Sequence, residues 1–209
     1  ASPSPGIVAM SRPGGTETGL MLYALEPEVI HAFNRRMTDG QNAQDEAIIR
    51  RQCPGVLVEQ DMAGTNGPMI SPDMFHEMCL PYLIERIEHI KTLADQVILH
   101  NCGNNLVLMD MFAEAGIDCY QSLQTTAGME VGKLLDNWGD RLSFWGGVAI
   151  ETLIQGTPAD VRREVQHVVE RVDGRPGFIL GPSHSIAKGV PYDNFMALLD
   201  THSQLADRT

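Results

Sequence analysis

Short β-branched or apolar runs alternate with longer amphipathic stretches along most of this chain. Residues 55–60 (GVLVEQ), 96–99 (QVIL), 117–122 (IDCYQS), 142–145 (LSFW) and 178–180 (FIL) predict buried strands, and residues 7–10 (IVAM) a short one before them. Between them the spacing predicts helices. One covers residues 26–51, with Pro27 in its first turn, where a missing N–H costs nothing. Another starts at Ser71-Pro72, a good cap followed by a tolerated proline, and carries Phe75, Met78, Leu83, Ile87 and Ile90 near helical spacing. Residues 105–115 form a third, stopped by Gly116, and residues 129–138 a fourth. Thr157-Pro158-Ala159-Asp160 opens a fifth with a near relative of the capping box, and residues 191–206 form the last.

Strand–helix alternation of this kind requires right-handed crossovers and a parallel sheet covered by helices, which is the α/β class. Six strands are two fewer than a closed (β/α)8 TIM-type barrel contains. An open doubly wound sheet is the other α/β solution, but no glycine-rich dinucleotide fingerprint follows any strand. With no repeat, low-complexity tract or linker, residues 1–209 read as one barrel domain, incomplete, its N-terminal strands absent. The chain starts at Ala1 without a methionine, in keeping with a piece of something longer.

Composition narrows the partners. A formal net charge of -12 opposes binding to a nucleic-acid backbone, which needs a basic face. No apolar run approaches the roughly 20 residues that span a bilayer, and residues 1–6 lack the pattern of a signal peptide. Four dispersed cysteines, without a paired CxxC, fit a reducing, cytoplasmic setting better than a disulfide scaffold.

In parallel α/β architectures chemistry gathers just beyond the carboxyl ends of the strands. Five successive strand ends here are polar or aromatic: Asp61, then His100-Asn101-Cys102-Gly103-Asn104, then Gln121 and Gln124, then Trp145-Gly146-Gly147, then Gly181-Pro182-Ser183-His184-Ser185. His100 and Cys102 are the sharpest pair. Residues two apart on an extended segment point the same way, with Cα atoms about 6.5 Å apart, so both side chains can reach one metal ion. Imidazole nitrogen and thiolate sulfur suit zinc, and a catalytic zinc wants a third protein ligand, for which His184 and Asp61 are the candidates. Each residue has a plainer reading. Cys102 alone is a small buried hydrophobe, and His100 a partner for a strand-end carbonyl. His184 can order its loop or, without a metal, exchange protons. Asp61 can cap the following turn. Gln121 and Gln124 can bond loop backbone, and Trp145 can be core rather than a substrate platform. Gly14-Gly15-Thr16 has room for an anion but lacks the surroundings of a P-loop.

Several of these motifs occur together in one known family. Ile70-Ser71-Pro72-x-x-Phe75, Pro81-Tyr82, His100-Asn101-Cys102-Gly103-Asn104, Trp145-Gly146-Gly147-Val148, Gly156-Thr157-Pro158-x-x-Val161-Arg162 and Gly177 through Ile186 resemble, in order, the uroporphyrinogen decarboxylase superfamily. The resemblance covers most of the chain from about Glu26 and implies a (β/α)8 barrel whose first strands lie upstream. True uroporphyrinogen decarboxylases use no cofactor and remove acetate carboxyls from a tetrapyrrole. Their final histidine resembles His184, but Asp61 stands where they have a serine. The corrinoid-dependent methyltransferase branch binds zinc through a His-x-Cys pair and a later cysteine. His100 and Cys102 match the pair, with His184 at the later position.

The resemblance therefore implies zinc-assisted methyl transfer between a corrinoid, carried by a partner protein or the substrate, and a thiol or other small molecule. His100, Cys102 and His184 would be the metal ligands. Asp61 and His184 would be the catalytic groups, and Gln121, Gln124 and Trp145 would shape the substrate pocket. Cofactor-free tetrapyrrole decarboxylation is the second implication. It requires carboxylate-binding arginines, of which only Arg12 lies near a strand end. A barrel that binds a corrinoid or tetrapyrrole without turnover is the third.

Overall fold

Where apolar runs give way to amphipathic stretches, the chain passes from strand to helix. In the computed structural model, which describes Gly6 and residues 9–50, 53–186 and 188–206, the chain forms two compact units, one ending at Cys119 and the other starting at Tyr120.

The first unit runs α1 (Thr16–Leu25), α2 (Pro27–Ile48), β1 (Val56–Glu59), β2 (Ala63–Gly64), β3 (Gly67–Pro68), α3 (Pro72–Met78), α4 (Leu80–Lys91), β4 (Val97–His100) and α5 (Met109–Glu114). Strands β1 and β4 are parallel, with Val56 opposite Val97 and Glu59 opposite His100. Val58 and Leu99 are fully buried, as are Ile30, Leu83, Ile90, Phe75 and Phe112 from the helices. Each contributes roughly 1.5–3 kcal/mol through burial. Phe75 and Phe112 meet edge-on, their centroids 5.9 Å apart.

Helix α2 packs on the α3–α4 pair through polar groups that its pattern does not advertise. Asn34, buried, donates to the Met78 carbonyl at 2.6 Å and accepts from the Ser11 N–H at 3.1 Å. Arg86 and Asp45 form an ion pair at 2.6 Å with side chains 0% and 1% exposed. The same guanidinium bonds Asn42 and, at 3.1 Å, the Gly6 carbonyl. Gln60 clasps the opening segment: its Oε1 accepts from the Ala9 and Met10 N–H groups at 2.8 and 3.2 Å, and its Nε2 donates to the Met10 carbonyl at 3.0 Å.

Several features depart from the sequence expectations here. Helix α1 was not expected, because TETGLMLYAL carries its apolar residues consecutively and shows no helical stripe. Gly14 and Gly15, at φ 79° and 101°, form the turn that starts it. The helix beginning at Ser71-Pro72 is two helices. Ser71 caps the first, its Oγ accepting from the Met74 N–H, and Pro81 opens the second, since its ring cannot follow a continuing helix. The region after Asp61 is a small antiparallel hairpin, with Ala63 opposite Pro68. Of the first predicted strand, Ile7 and Val8 lie outside the described residues; Gly6 makes a parallel bridge to Glu59, and Ala9 and Met10 form a bend. Helix α2 ends at Ile48, and Arg51, the expected end, lies outside the described residues.

The second unit carries β5 (Cys119–Leu123), which starts on the last residue of the first, then α6 (Val131–Trp138), β6 (Ser143–Val148), α7 (Ile150–Gln155), α8 (Pro158–Val172), β7 (Phe178–Pro182) and α9 (Tyr192–Ala206). Its strands lie in the order β5-β6-β7, with β6 and β7 parallel from Phe144 opposite Phe178 to Val148 opposite Pro182. Val148, Leu153, Val161, Val165, Ala197 and Leu198 form its core. The capping box opening α8 is complete: the Thr157 Oγ1 accepts from the Asp160 N–H, and the Asp160 carboxylate accepts from the Thr157 N–H. Strand β6 was expected to stop before Gly146-Gly147 but continues through them to Val148. Both glycines have positive φ, and a Cβ at either would lie 3.0 Å from a neighbour, Leu123 N or Val168 Cγ1. The pair is a bent strand segment pressed between neighbours, which a local reading takes for a loop.

Helices alternating with parallel strands confirm the α/β class, in the pattern of part of a TIM-type barrel. Among the described residues no helix is long and apolar enough to cross a membrane.

Candidate functional site

Strand β4 delivers its last residue, His100, buried at 6% exposure, and the chain then turns through residues 101–105. His100 Nε2 and Cys102 Sγ lie 3.4 Å apart, although Cys102 sits in the turn beyond the strand and not on the strand itself. Bonds of about 2.0–2.1 Å to imidazole and 2.3 Å to thiolate at the tetrahedral angle would set these donors about 3.6 Å apart. The pair therefore fits two neighbouring positions of a tetrahedral metal.

The turn that presents Cys102 is held at every residue. Asp61, at the end of the adjacent strand, accepts the Cys102 N–H on its carboxylate at 2.8 Å. Asn101, fully buried, accepts from the Met62 N–H at 3.0 Å and from Asn105 Nδ2 at 3.2 Å. Asn105 Nδ2 also donates to the Cys102 carbonyl at 2.9 Å. Asn104 N–H donates to the Gly64 carbonyl on the hairpin at 2.9 Å. Gly103 has φ 86°, and a Cβ there would lie 2.6 Å from the Ala63 oxygen, so only glycine fits. Asp61 thus serves the cysteine's backbone, as an outer partner holding a candidate ligand. Asn105 carries no sequence signature beyond a helix start, because its bonding to the turn imposes no period.

Asp61→Ala is accordingly expected to weaken zinc binding by roughly 10–100-fold, the usual cost of losing an outer partner, whereas Asp61→Asn keeps an acceptor and most of the affinity. Competition with a chromophoric chelator measures both; equal affinities for wild type and Asp61→Ala would remove this role.

In the second unit, Gln121 is buried on β5. Gln124 is half-buried, and its Nε2 donates to Thr126 Oγ1 at 3.4 Å, a contact within its own loop. Trp145 is half-buried on β6 opposite Ile179, its indole against Gly181, where a Cβ would come within 2.8 Å of Nε1. His184 is exposed, two residues beyond β7. Imidazole and thiol are donor types suited to an ion such as zinc, and His184 carries another imidazole in this unit. A cavity of about 230 Å³ in this unit is lined by other residues, among them Thr125, Gly132, His167 and Arg171.

Cys79 and Cys119 are chemically quiet. Burial pushes the Cys79 thiol up to about 12, against a small opposing effect of the Tyr23 hydroxyl. Burial, with the Asp118 charge, pushes Cys119 up to about 12 as well. At pH 8 iodoacetamide is expected to label half-buried Cys53 and Cys102 and to spare Cys79 and Cys119. Added zinc is expected to protect Cys102 alone. Peptide mass spectrometry reads the pattern; labelling of Cys79 on a par with Cys53 would contradict it.

Over residues 7–205 the sequence matches the family described as uroporphyrinogen decarboxylase (URO-D). The chain belongs to that family. Among curated URO-D relatives, the uroporphyrinogen decarboxylase of Alkalilimnicola ehrlichii is 24% identical over 192 residues, 90% of this chain and 50% of that protein. Uroporphyrinogen decarboxylase 2, chloroplastic, of Arabidopsis thaliana is 27% identical over 171 residues, 81% of this chain and 41% of the relative. The chain spans about half the length of the curated relatives it matches. Among solved structures, a methyltransferase from Methanosarcina mazei superposes with a TM-score of 0.72 at 21% identity, covering 90% of this chain and 53% of that one. That likeness establishes the fold, and with it the partial TIM-type barrel.

Proposed function

We propose that this URO-D-family chain is part of an enzyme that transfers a methyl group between a corrinoid and a thiol or other small acceptor. Zinc would be held by His100, Cys102 and His184. One observation carries the reading: an imidazole nitrogen and a thiol sulfur sit at the spacing of two zinc ligands on a turn that Asp61, Asn101 and Asn105 hold rigid. A bound zinc supplies Lewis acidity, which keeps a thiol nucleophilic as its thiolate near neutral pH. Asp61 fixes the Cys102 amide, so the sulfur is presented without a loop rearrangement. Gln121, Gln124 and Trp145 are proposed to contact the acceptor, and the corrinoid is proposed to arrive on a partner protein. A methylated corrinoid would supply an electrophilic methyl group, and His100, Cys102 and His184 would hold the zinc that keeps the accepting thiol deprotonated. The methyltransferase named among the structural neighbours is compatible with this chemistry.

Curated relatives named uroporphyrinogen decarboxylase support a second reading, removal of tetrapyrrole carboxyls without a cofactor. One experiment separates the two. The chain is analysed for zinc and assayed with methylcobalamin plus a thiol, and in parallel with uroporphyrinogen. About one zinc per chain, with zinc-dependent loss of methylcobalamin, is the expected result. Turnover of uroporphyrinogen by zinc-free protein would replace the first reading with the second.

A further inference from the structure

We propose that Ser122 is a positioning residue for His184, its hydroxyl and left-handed backbone fixing the peptide that carries the histidine. The inference rests on the reading above, in which His184 serves the metal. Ser122 is the fourth residue of β5, fully buried, with φ 83°. A residue with a side chain is disfavoured in that region and persists there only where the surroundings over-determine it. From this backbone the Ser122 Oγ donates to the Ser183 carbonyl at 2.7 Å. That carbonyl belongs to the peptide bond joining Ser183 to His184, so the bond fixes the plane from which the histidine departs.

Ser183 is held twice more. Its N–H donates to the Val148 carbonyl at 2.6 Å, and its Oγ accepts from the Ile150 N–H at 3.0 Å. Two residues earlier, Gly181 lies against the Trp145 indole, which blocks a sideways shift of the strand end. The ends of β5, β6 and β7 thus converge on the residue preceding His184. Ser183 is 2% exposed while His184 is exposed, an anchor out of water with an imidazole presented outward. Glycine would adopt φ 83° without strain. What serine adds at this position is the hydroxyl, and the hydroxyl is spent on the peptide of His184.

The test compares wild type, Ser122→Gly and Ser122→Ala in the full chain by zinc competition, amide hydrogen exchange of zinc-free protein, and thermal melting. Ser122→Gly keeps the backbone and removes the hydroxyl. It is expected to melt no lower than wild type, to exchange faster at the amides of residues 183–185, and to bind zinc roughly 10–100-fold more weakly. Ser122→Ala is expected to show the same loss of affinity. Zinc affinity and exchange unchanged in both variants overturn the inference, as does a loss of affinity that only follows a loss of folded protein. Wild type that binds no zinc overturns instead the reading on which it rests.

Discussion

Cys102→Ser is expected to bind zinc at least about 100-fold more weakly than wild type, since losing an outer partner alone costs 10–100-fold and this change removes a donor atom itself. The hydroxyl of serine does not ionise near neutral pH as a metal-bound thiol does, so the variant offers a neutral, harder donor where the site presents soft sulfur. His100→Ala removes the other donor of the 3.4 Å pair and is expected to match it. Cys53→Ser, at a half-buried cysteine whose Sγ donates to the Gly55 carbonyl, supplies the control and is expected to change nothing. Chelator competition gives the affinities, and cobalt substitution gives a second signal, because sulfur-to-cobalt charge-transfer absorption disappears with the thiolate. Cys102→Ser that holds zinc as tightly as the Cys53→Ser control would remove sulfur from the site.

Arg86→Met is the second large effect. The change leaves the Asp45 carboxylate, 1% exposed, in the interior without its cation, and takes donors away from Asn42 and the Gly6 carbonyl. Breaking one side of a buried pair costs about 3–5 kcal/mol, because the surviving charge can neither ionise cheaply nor reach water. For a chain of this size that corresponds to a melting temperature lower by about 6–20 °C. The double variant Arg86→Met/Asp45→Leu removes both charges and is expected to recover most of the loss, since apolar replacements of buried pairs are often neutral. Calorimetry on the three proteins decides it. A single variant that melts with wild type, or a double variant no better than the single, would show that the pair is not what joins α2 to α4.

Periodicity made most of the fold legible. The strands at residues 55–60, 96–99 and 178–180 are β-branched or aliphatic runs that have no other stable use, and the capping box at Thr157 announced α8 by residue type alone. His100 and Cys102 stood out by residue type at a strand end, but their 3.4 Å approach depends on the turn beyond the strand, which Asp61 and Asn105 hold. Contacts between residues far apart in sequence were not legible. Nothing near Arg86 distinguishes it from a solvated helix arginine, since its burial depends on Asp45 forty-one positions earlier. Asn105 and Ser122 escaped similarly: each acts through bonds to backbone, which impose no repeat on the sequence. Helix α1 and the Gly146-Gly147 segment were missed because their local signals, a run of apolar residues and a glycine pair, usually mean something else.

The Gln60 clasp on Ala9 and Met10 also has a mechanical meaning. Load applied through the amino end, by a tethered bead or a fused neighbour, meets the Arg86 bond to the Gly6 carbonyl and then three hydrogen bonds from one amide side chain, before α1 can be peeled away. Single-molecule stretching from that end should register a distinct first yield, and Gln60→Leu should lower it without altering the later unravelling of the helices.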